Sequence, residues 1–197
     1  MRIKVDFKSI LSKGVKPINE DFSIDLICGY QGTGKTYLGA YLLYNKYQNR
    51  IIKTNIKSLI IPNCEMIYFT NLDEIYQDNF KNYVYIIDEL SKKFVKDCKI
   101  DKSFYSWLQQ CRKNNRVVFL IMQEYIQVPT WLRGIATHVY VTEKKWFLPK
   151  LCITKYGVPV LDNETMEWGI DEIARIYYKR NKKIIECYDT YETTNTL

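Results

Sequence analysis

Histidine occurs once in this chain of 197 residues, at His138, and none of the six cysteines (Cys28, Cys64, Cys98, Cys111, Cys152, Cys187) falls in a C-x-x-C pair. Zinc sites need closely spaced ligand pairs, so the pattern speaks against one, and the thiols read as reduced structural groups. No stretch approaches the roughly 18 to 20 continuous apolar residues of a membrane-spanning helix. The longest run, Val117–Met122, suits a buried strand. The N-terminus alternates charged with apolar residues and has no signal-peptide core. Internal repeats, low-complexity tracts and Pro/Ser linkers are missing too. These absences lead us to expect a soluble, intracellular protein without membrane insertion. It is read as one domain over 1–197, with a core over about 20–145 and extra strands or a helix from 146–197 packed on it.

What is present is an ordinary globular composition, 47% hydrophobic and 26% charged. Lys plus Arg number 29 against 22 Asp plus Glu, a net charge of +7. That excess suits a polyanionic partner such as nucleic acid. A low-GC genome enriches lysine for unrelated reasons, so charge alone decides little.

Apolar runs alternate with helical patterns. Phe22–Cys28 reads as a strand ending in a glycine loop. Thr36–Tyr47 reads as a helix with Leu38, Tyr41, Leu42 and Tyr44 on its apolar face. Ile51–Thr54 and Met66–Phe69 follow as strands, then a short helix over Leu72–Asn79 capped by Asn71. Tyr83–Ile87 and Val117–Met122 are continuous apolar strands, separated by a helix that Ser103 caps and that runs to about Asn114. Beyond Pro129 the reading is a strand over Ala136–Thr142 and an edge strand or hairpin over Phe147–Thr154. A helix around Ile170–Tyr178 and an extended Ile184–Tyr191 complete it. Continuous apolar strands are buried on both faces, which means a mainly parallel sheet covered by helices in an α/β fold.

Gly29-Tyr30-Gln31-Gly32-Thr33-Gly34-Lys35-Thr36 fits G-x-x-x-x-G-K-[ST] at every fixed position, between a strand and a helix that continues with Tyr37. The glycines let several backbone N–H groups turn inward as a phosphate nest, and the helix N-terminus points its partial positive charge the same way. Lys35 would reach the β- and γ-phosphates and the Thr36 hydroxyl a magnesium ion, so the expected ligands are ATP and Mg2+. Tyr83–Ile87 ends in Asp88-Glu89. Asp88 is the expected second magnesium residue, acting through water, and Glu89 the general base for the attacking water. Gln123, at the end of Val117–Met122, is placed to sense the γ-phosphate. An arginine reaching that phosphate from a neighbouring subunit would speed the transfer, and Arg112, Arg116 and Arg133 are the candidates.

From the phosphate loop to about Val141 the chain resembles the FtsK–HerA family of DNA-pumping ATPases. It is closest to viral members: zonular-occludens-toxin-like proteins of filamentous phages and small genome-packaging ATPases. GYQGTGKT at 29–36, YIIDEL at 85–90 and the block Leu108–Val141 carry the resemblance. The last fifty residues carry none of it. The resemblance implies an additional-strand (RecA/FtsK-like) P-loop fold. It also implies a ring, hexameric or pentameric, that hydrolyses ATP to move double-stranded DNA. A virion or capsid protein would be a further partner, in the host cytoplasm or attached to the virion. Filamentous-phage relatives carry a membrane helix after the ATPase domain. Its absence from this sequence favours genome packaging, with phage assembly and export as the alternative.

Lys92, Lys93 and Lys96, then Lys144 and Lys145 with Trp146, and the run Lys179-Arg180-Asn181-Lys182-Lys183 are candidates for gripping DNA phosphates. Two other classes compete with a DNA motor. One is an ATPase switch worked by a protein partner. The other, a small-molecule kinase, is disfavoured because Asp88-Glu89 suits water as the acceptor.

Overall fold

The computed structural model describes residues 22–144 and 151–189. The elements run β1 (Ser23–Cys28), α1 (Lys35–Lys46), β2 (Ile51–Thr54), β3 (Glu65–Tyr68), α2 (Asp73–Tyr76), β4 (Val84–Ile87), α3 (Lys102–Gln109), β5 (Val117–Ile121), α4 (Thr130–Ile135), β6 (His138–Lys144), β7 (Leu151–Leu161), β8 (Trp168–Lys179) and α5 (Lys182–Ile185). All eight strands form one sheet in the order β3-β2-β4-β5-β1-β6-β7-β8. The six strands from β3 to β6 are parallel, and β7 and β8 add an antiparallel hairpin at one side.

The continuous apolar strands have the cause expected of them. Along β5, Val117, Phe119 and Ile121 pack into one core beside Leu38, Leu42 and Leu43 of α1, while Val118 and Leu120 join Phe104, Trp107 and Leu108 of α3 in a second. Helices cover both faces, which is why β5 is apolar on both of its sides. Gly39 lets α1 lie close on the sheet, since a Cβ there would stand 3.6 Å from Ile121 Cδ1 and collide with Ile86 Cδ1.

Several boundaries differ from expectation. Asp101, not Ser103, caps α3, its carboxylate accepting from the N–H groups of Ser103 and Phe104 at 3.0 Å each. The helix ends at Gln109 and continues as turns. The helix expected over Ile170–Tyr178 is a strand, β8. Ile170, Ile173, Ala174 and Tyr177 have helical spacing, but Trp168, Ile170, Ala174, Ile176 and Tyr178 also alternate, and eleven paired positions with β7 select the second period. The stretch from Ile184, read as extended, contains part of α5 and turns as far as residue 189. Residues 147–150 of the expected hairpin, Lys145 and Trp146, and residues 190–197 lie outside the described residues.

Candidate nucleotide site

The loop between β1 and α1 sits at the carboxyl edge of the parallel strands, with β5 and β6 on either side of β1. Its first glycine is fixed by crowding. A Cβ on Gly29 would lie 2.7 Å from Thr142 O and 2.8 Å from Thr33 Oγ1, and its N–H donates to Gln123 O at 2.6 Å. Gly34, at φ 98°, is the residue before α1 and adopts a left-handed conformation that side chains resist. Gln31 and Gly32 form the exposed crest, Thr33 is buried beneath it, and Tyr30 projects outward with 67% of its surface exposed.

Lys35 folds back across this loop, its Nζ donating to Gly29 O at 2.9 Å and Tyr30 O at 3.1 Å. Burial lowers its pKa, an effect the nearby Asp88 carboxylate opposes. The Thr36 hydroxyl donates to Asp88 Oδ2 at 2.7 Å, joining the helix start to the end of β4. Asp88 Oδ1 accepts from the Glu89 N–H, and Asn55 clamps the Asp88 backbone from both sides, Oδ1 to N at 2.8 Å and Nδ2 to O at 3.0 Å. Burial pushes the Asp88 carboxyl up, and the Thr36 hydrogen bond pulls it part of the way back. Glu89 stands at φ 59°, a strained backbone for a side-chain residue, and its carboxylate pairs with Lys92.

These groups line a cleft of about 510 Å³. Gln31, Gly32, Gly34, Lys35, Thr36 and Tyr37 form its floor. Asp88, Glu89 and Ser91 form one side, and Met122, Gln123 and Lys144 another. A cleft of this size takes a nucleotide-sized ligand. No group of three or more His, Cys, Asp or Glu side chains among the described residues could hold a metal alone. Two hard oxygen donors at 2.7 Å, Thr36 Oγ1 and Asp88 Oδ2, do suit magnesium, which takes few protein ligands and completes its shell with phosphate and water.

The three arginine candidates do not converge on this cleft. Arg116 is fully buried. It donates to Phe80 O at 3.0 Å and to Asp78 O, and lies over the rings of Trp107 and Tyr85. Arg133 is 5% exposed and donates to Val128 O at 2.8 Å and Ile126 O at 3.3 Å. Both are corrected to structural residues, because their donors are committed to backbone carbonyls in the interior. Arg112 is exposed, at the sheet edge opposite the phosphate loop, with its guanidinium over Phe22.

Among the lysines, Lys93 is held by Tyr76 and Asp101, while Lys92 and Lys96 are exposed. Lys179, Lys182 and Lys183 are exposed as well.

Five residues of the site were missed from sequence. Asn55 had a usable signal, a polar residue at the end of a buried strand, like Gln123. Thr142, whose hydroxyl meets Thr33 Oγ1 at 2.7 Å, is an ordinary threonine in a strand. Arg180, Tyr188 and Asp189 close the remaining wall of the cleft from a segment whose fold was misread.

A family model described as zonular occludens toxin (Zot) matches residues 23–195. No curated protein sequence matches the chain. Among solved structures, the N-terminal domain of zonular occludens toxin from Neisseria meningitidis is similar at a TM-score of 0.62 and 20% identity, covering 85% of this chain and 99% of that one. The genome packaging NTPase B204 from Sulfolobus turreted icosahedral virus 2, in complex with ATP-gammaS, is similar at 0.52 and 12%, covering 77% and 97%. The flagellar accessory protein FlaH from Methanocaldococcus jannaschii is similar at 0.54 and 14%, covering 80% and 84%. At these identities the likeness is one of fold, that of a P-loop NTPase. The family match also runs past Val141, where the sequence resemblance stopped.

Proposed function

Since this chain belongs to the zonular occludens toxin family, we propose that it is a magnesium-dependent ATPase of virus assembly that turns hydrolysis into movement of DNA. The observation that carries this reading is the Thr36–Asp88 hydrogen bond beside Glu89. It joins the phosphate-loop helix to an acidic strand end inside a cleft large enough for a nucleotide. Family membership gives extrusion or assembly of a phage at least the weight that the sequence alone gave to genome packaging, and the fold of a genome packaging NTPase keeps the second in view.

The chemistry follows from the chain's own groups. The loop N–H groups and the α1 N-terminus bind phosphate oxygens, and Lys35 exchanges the Gly29 and Tyr30 carbonyls for the β- and γ-phosphates. Thr36 and Asp88 would hold magnesium, which when bound offsets the charge developing between the β- and γ-phosphates. Glu89, at the lip of the cleft, orients a water and accepts its proton, and Gln123 steadies that water from the end of β5. An arginine from the next protomer completes the charge balance, and exposed Arg112 is the remaining candidate of the three. Lys92 and Lys96, beside the acids, are suited to following a DNA backbone without reading its sequence.

The test is steady-state ATP hydrolysis with and without double-stranded DNA, for the wild type and Glu89→Gln. The reading requires DNA-stimulated turnover and a variant that binds ATP without cleaving it. Turnover that needs Glu89 but ignores DNA would assign the site to a protein-driven switch instead.

A further inference from the structure

The segment after β8 crosses the molecule. It leaves the far side of the sheet at Lys179, passes over the first turn of α1, and reaches the loop after β2. At its start the Asn181 N–H donates to Tyr37 Oη at 2.7 Å, and Tyr37 stacks on Tyr178, with ring centroids 6.0 Å apart and 10° between planes. At its end Ile60 N donates to Cys187 O at 2.8 Å and Asp189 N to Ser58 Oγ at 2.9 Å. Ile184 is buried in the core between these anchors. The sequence suggested Tyr37 for the nucleotide, but its side chain is 1% exposed and holds this strap in place.

Arg180 lies between Tyr178 and Asn181, both of which are fixed to α1. Its guanidinium lies over the Tyr37 ring, 6.0 Å from the centroid, and its Nη2 is 3.7 Å from where a Cβ on Gly34 would stand. Among the described residues it makes no hydrogen bond and no ion pair, although it lines the cleft. A cation aimed at the start of a phosphate-binding helix, with its donors uncommitted, is complementary to an anion there. The groups that define the γ-phosphate end, Asp88, Glu89 and Gln123, are on other walls. Gly34 and Tyr37 belong to the part of the loop that cradles the inner phosphates.

We propose that the C-terminal strap is a wall of the nucleotide site and that Arg180 binds the α- and β-phosphates of a nucleoside di- or triphosphate from within the same chain. This rests on the P-loop reading above. It assigns Arg180 to nucleotide binding rather than to DNA, and it distinguishes Arg180 from a subunit-crossing arginine, because it would grip ADP as firmly as ATP.

The experiment is equilibrium binding of Mg-ADP and of the slowly cleaved Mg-ATPγS to the wild type, Arg180→Ala, Arg180→Lys and Arg175→Ala, with ATP turnover measured on the same samples. Arg175 is an exposed residue of β8 paired with Glu172, so its variant removes the same charge away from the cleft. Arg180→Ala is expected to weaken both nucleotides about tenfold, with Arg180→Lys between it and the wild type and Arg175→Ala unchanged. Equal affinities in Arg180→Ala and the wild type would overturn the inference. So would a loss confined to turnover or to ATPγS, which would move Arg180 to the γ-phosphate. If the wild type binds neither nucleotide, it is the P-loop reading itself that fails.

Discussion

The hydroxyls of Thr33 and Thr142 meet at 2.7 Å, although 109 residues separate them in the chain. Thr142 Oγ1 also donates to Cys28 O at 3.2 Å, so one buried strand residue braces the phosphate loop against the strand that carries it. Thr142→Ala removes both contacts. It is expected to cost about 1–2 kcal/mol, or roughly 3–6 °C in Tm for a chain of this size. Nucleotide affinity should fall by about 3- to 10-fold because the loop loses its brace. Thr142→Ser should recover most of both. Thermal unfolding and nucleotide titration check the pair.

Magnesium binding should be visible as stability. At a Mg-ATP concentration about 100 times its Kd, the folded state gains roughly 2.7 kcal/mol, a rise of about 5–10 °C in Tm. A chelator should remove much of that gain in the wild type. In Thr36→Ala and Asp88→Asn the gain should be small with or without chelator, because one of the two oxygen donors has gone.

Arg116 should prove to be a stability residue. Arg116→Ala leaves two backbone carbonyls, Phe80 O and Asp78 O, without a donor and opens space beside Trp107. A loss of about 3–5 kcal/mol is expected, with purified protein unfolding well below the wild type. Arg112→Ala, at an exposed position, should stay within about 0.5 kcal/mol of the wild type. Chemical denaturation compares the two directly.

The ion pair between Lys53 Nζ and Asp78 Oδ2, at 2.7 Å, is buried on both sides and also receives the Tyr85 hydroxyl at 3.2 Å. Lys53→Met strands a buried carboxylate and should lose about 3–5 kcal/mol. The double variant Lys53→Met with Asp78→Leu should be more stable than Lys53→Met alone, since no unpaired charge remains. A double-mutant cycle in denaturant measures the coupling.

Alkaline pH should unfold the protein earlier than its acidic range would suggest. Burial pushes Cys28 and Cys111 from the ordinary 9.0 up to about 12, and Tyr125 and Tyr188 from 10.0 up to about 12. Folding favours the protonated form of each. Their contribution is therefore complete below about pH 9 and is lost as the pH rises from there towards 12. Unfolding midpoints measured from pH 8 to 11 should hold level to about pH 9 and fall above it. A thiol reagent at pH 8 should find Cys64 and Cys98 first, the two half-exposed thiols, while Cys28 and Cys111 wait for unfolding.

The parts of the molecule legible in sequence are those governed by local chemistry. The phosphate loop is written in glycines whose backbone angles side chains resist, and β4 and β5 in apolar runs that burial on both faces demands. Arg116 was illegible because its acceptors, Asp78 O and Phe80 O, lie 38 and 36 residues earlier in the chain, in a loop that closes over it. In a turn between helix and strand, an arginine looks exposed. β8 was illegible for another reason: its sequence satisfies two periods at once, and only pairing with β7 decides between them. The wall that Arg180 brings to the cleft depended on that pairing and was lost with it.

The strap also bears on when the site can exist. Tyr37 and Asn181 are 144 residues apart, and Ser58 and Asp189 131 apart. At a synthesis rate of about 5–20 residues per second, roughly 7–30 s pass between the emergence of the phosphate loop from the ribosome and that of the residues that wall it in. Until β5 and β6 have followed, β1 also lacks both its neighbours, so for the first part of that interval the loop has no sheet edge to stand on. ATP therefore cannot template the early folding of this chain. The nucleotide enters a structure whose longest-range contacts are already made, and its effect falls on how tightly they stay closed.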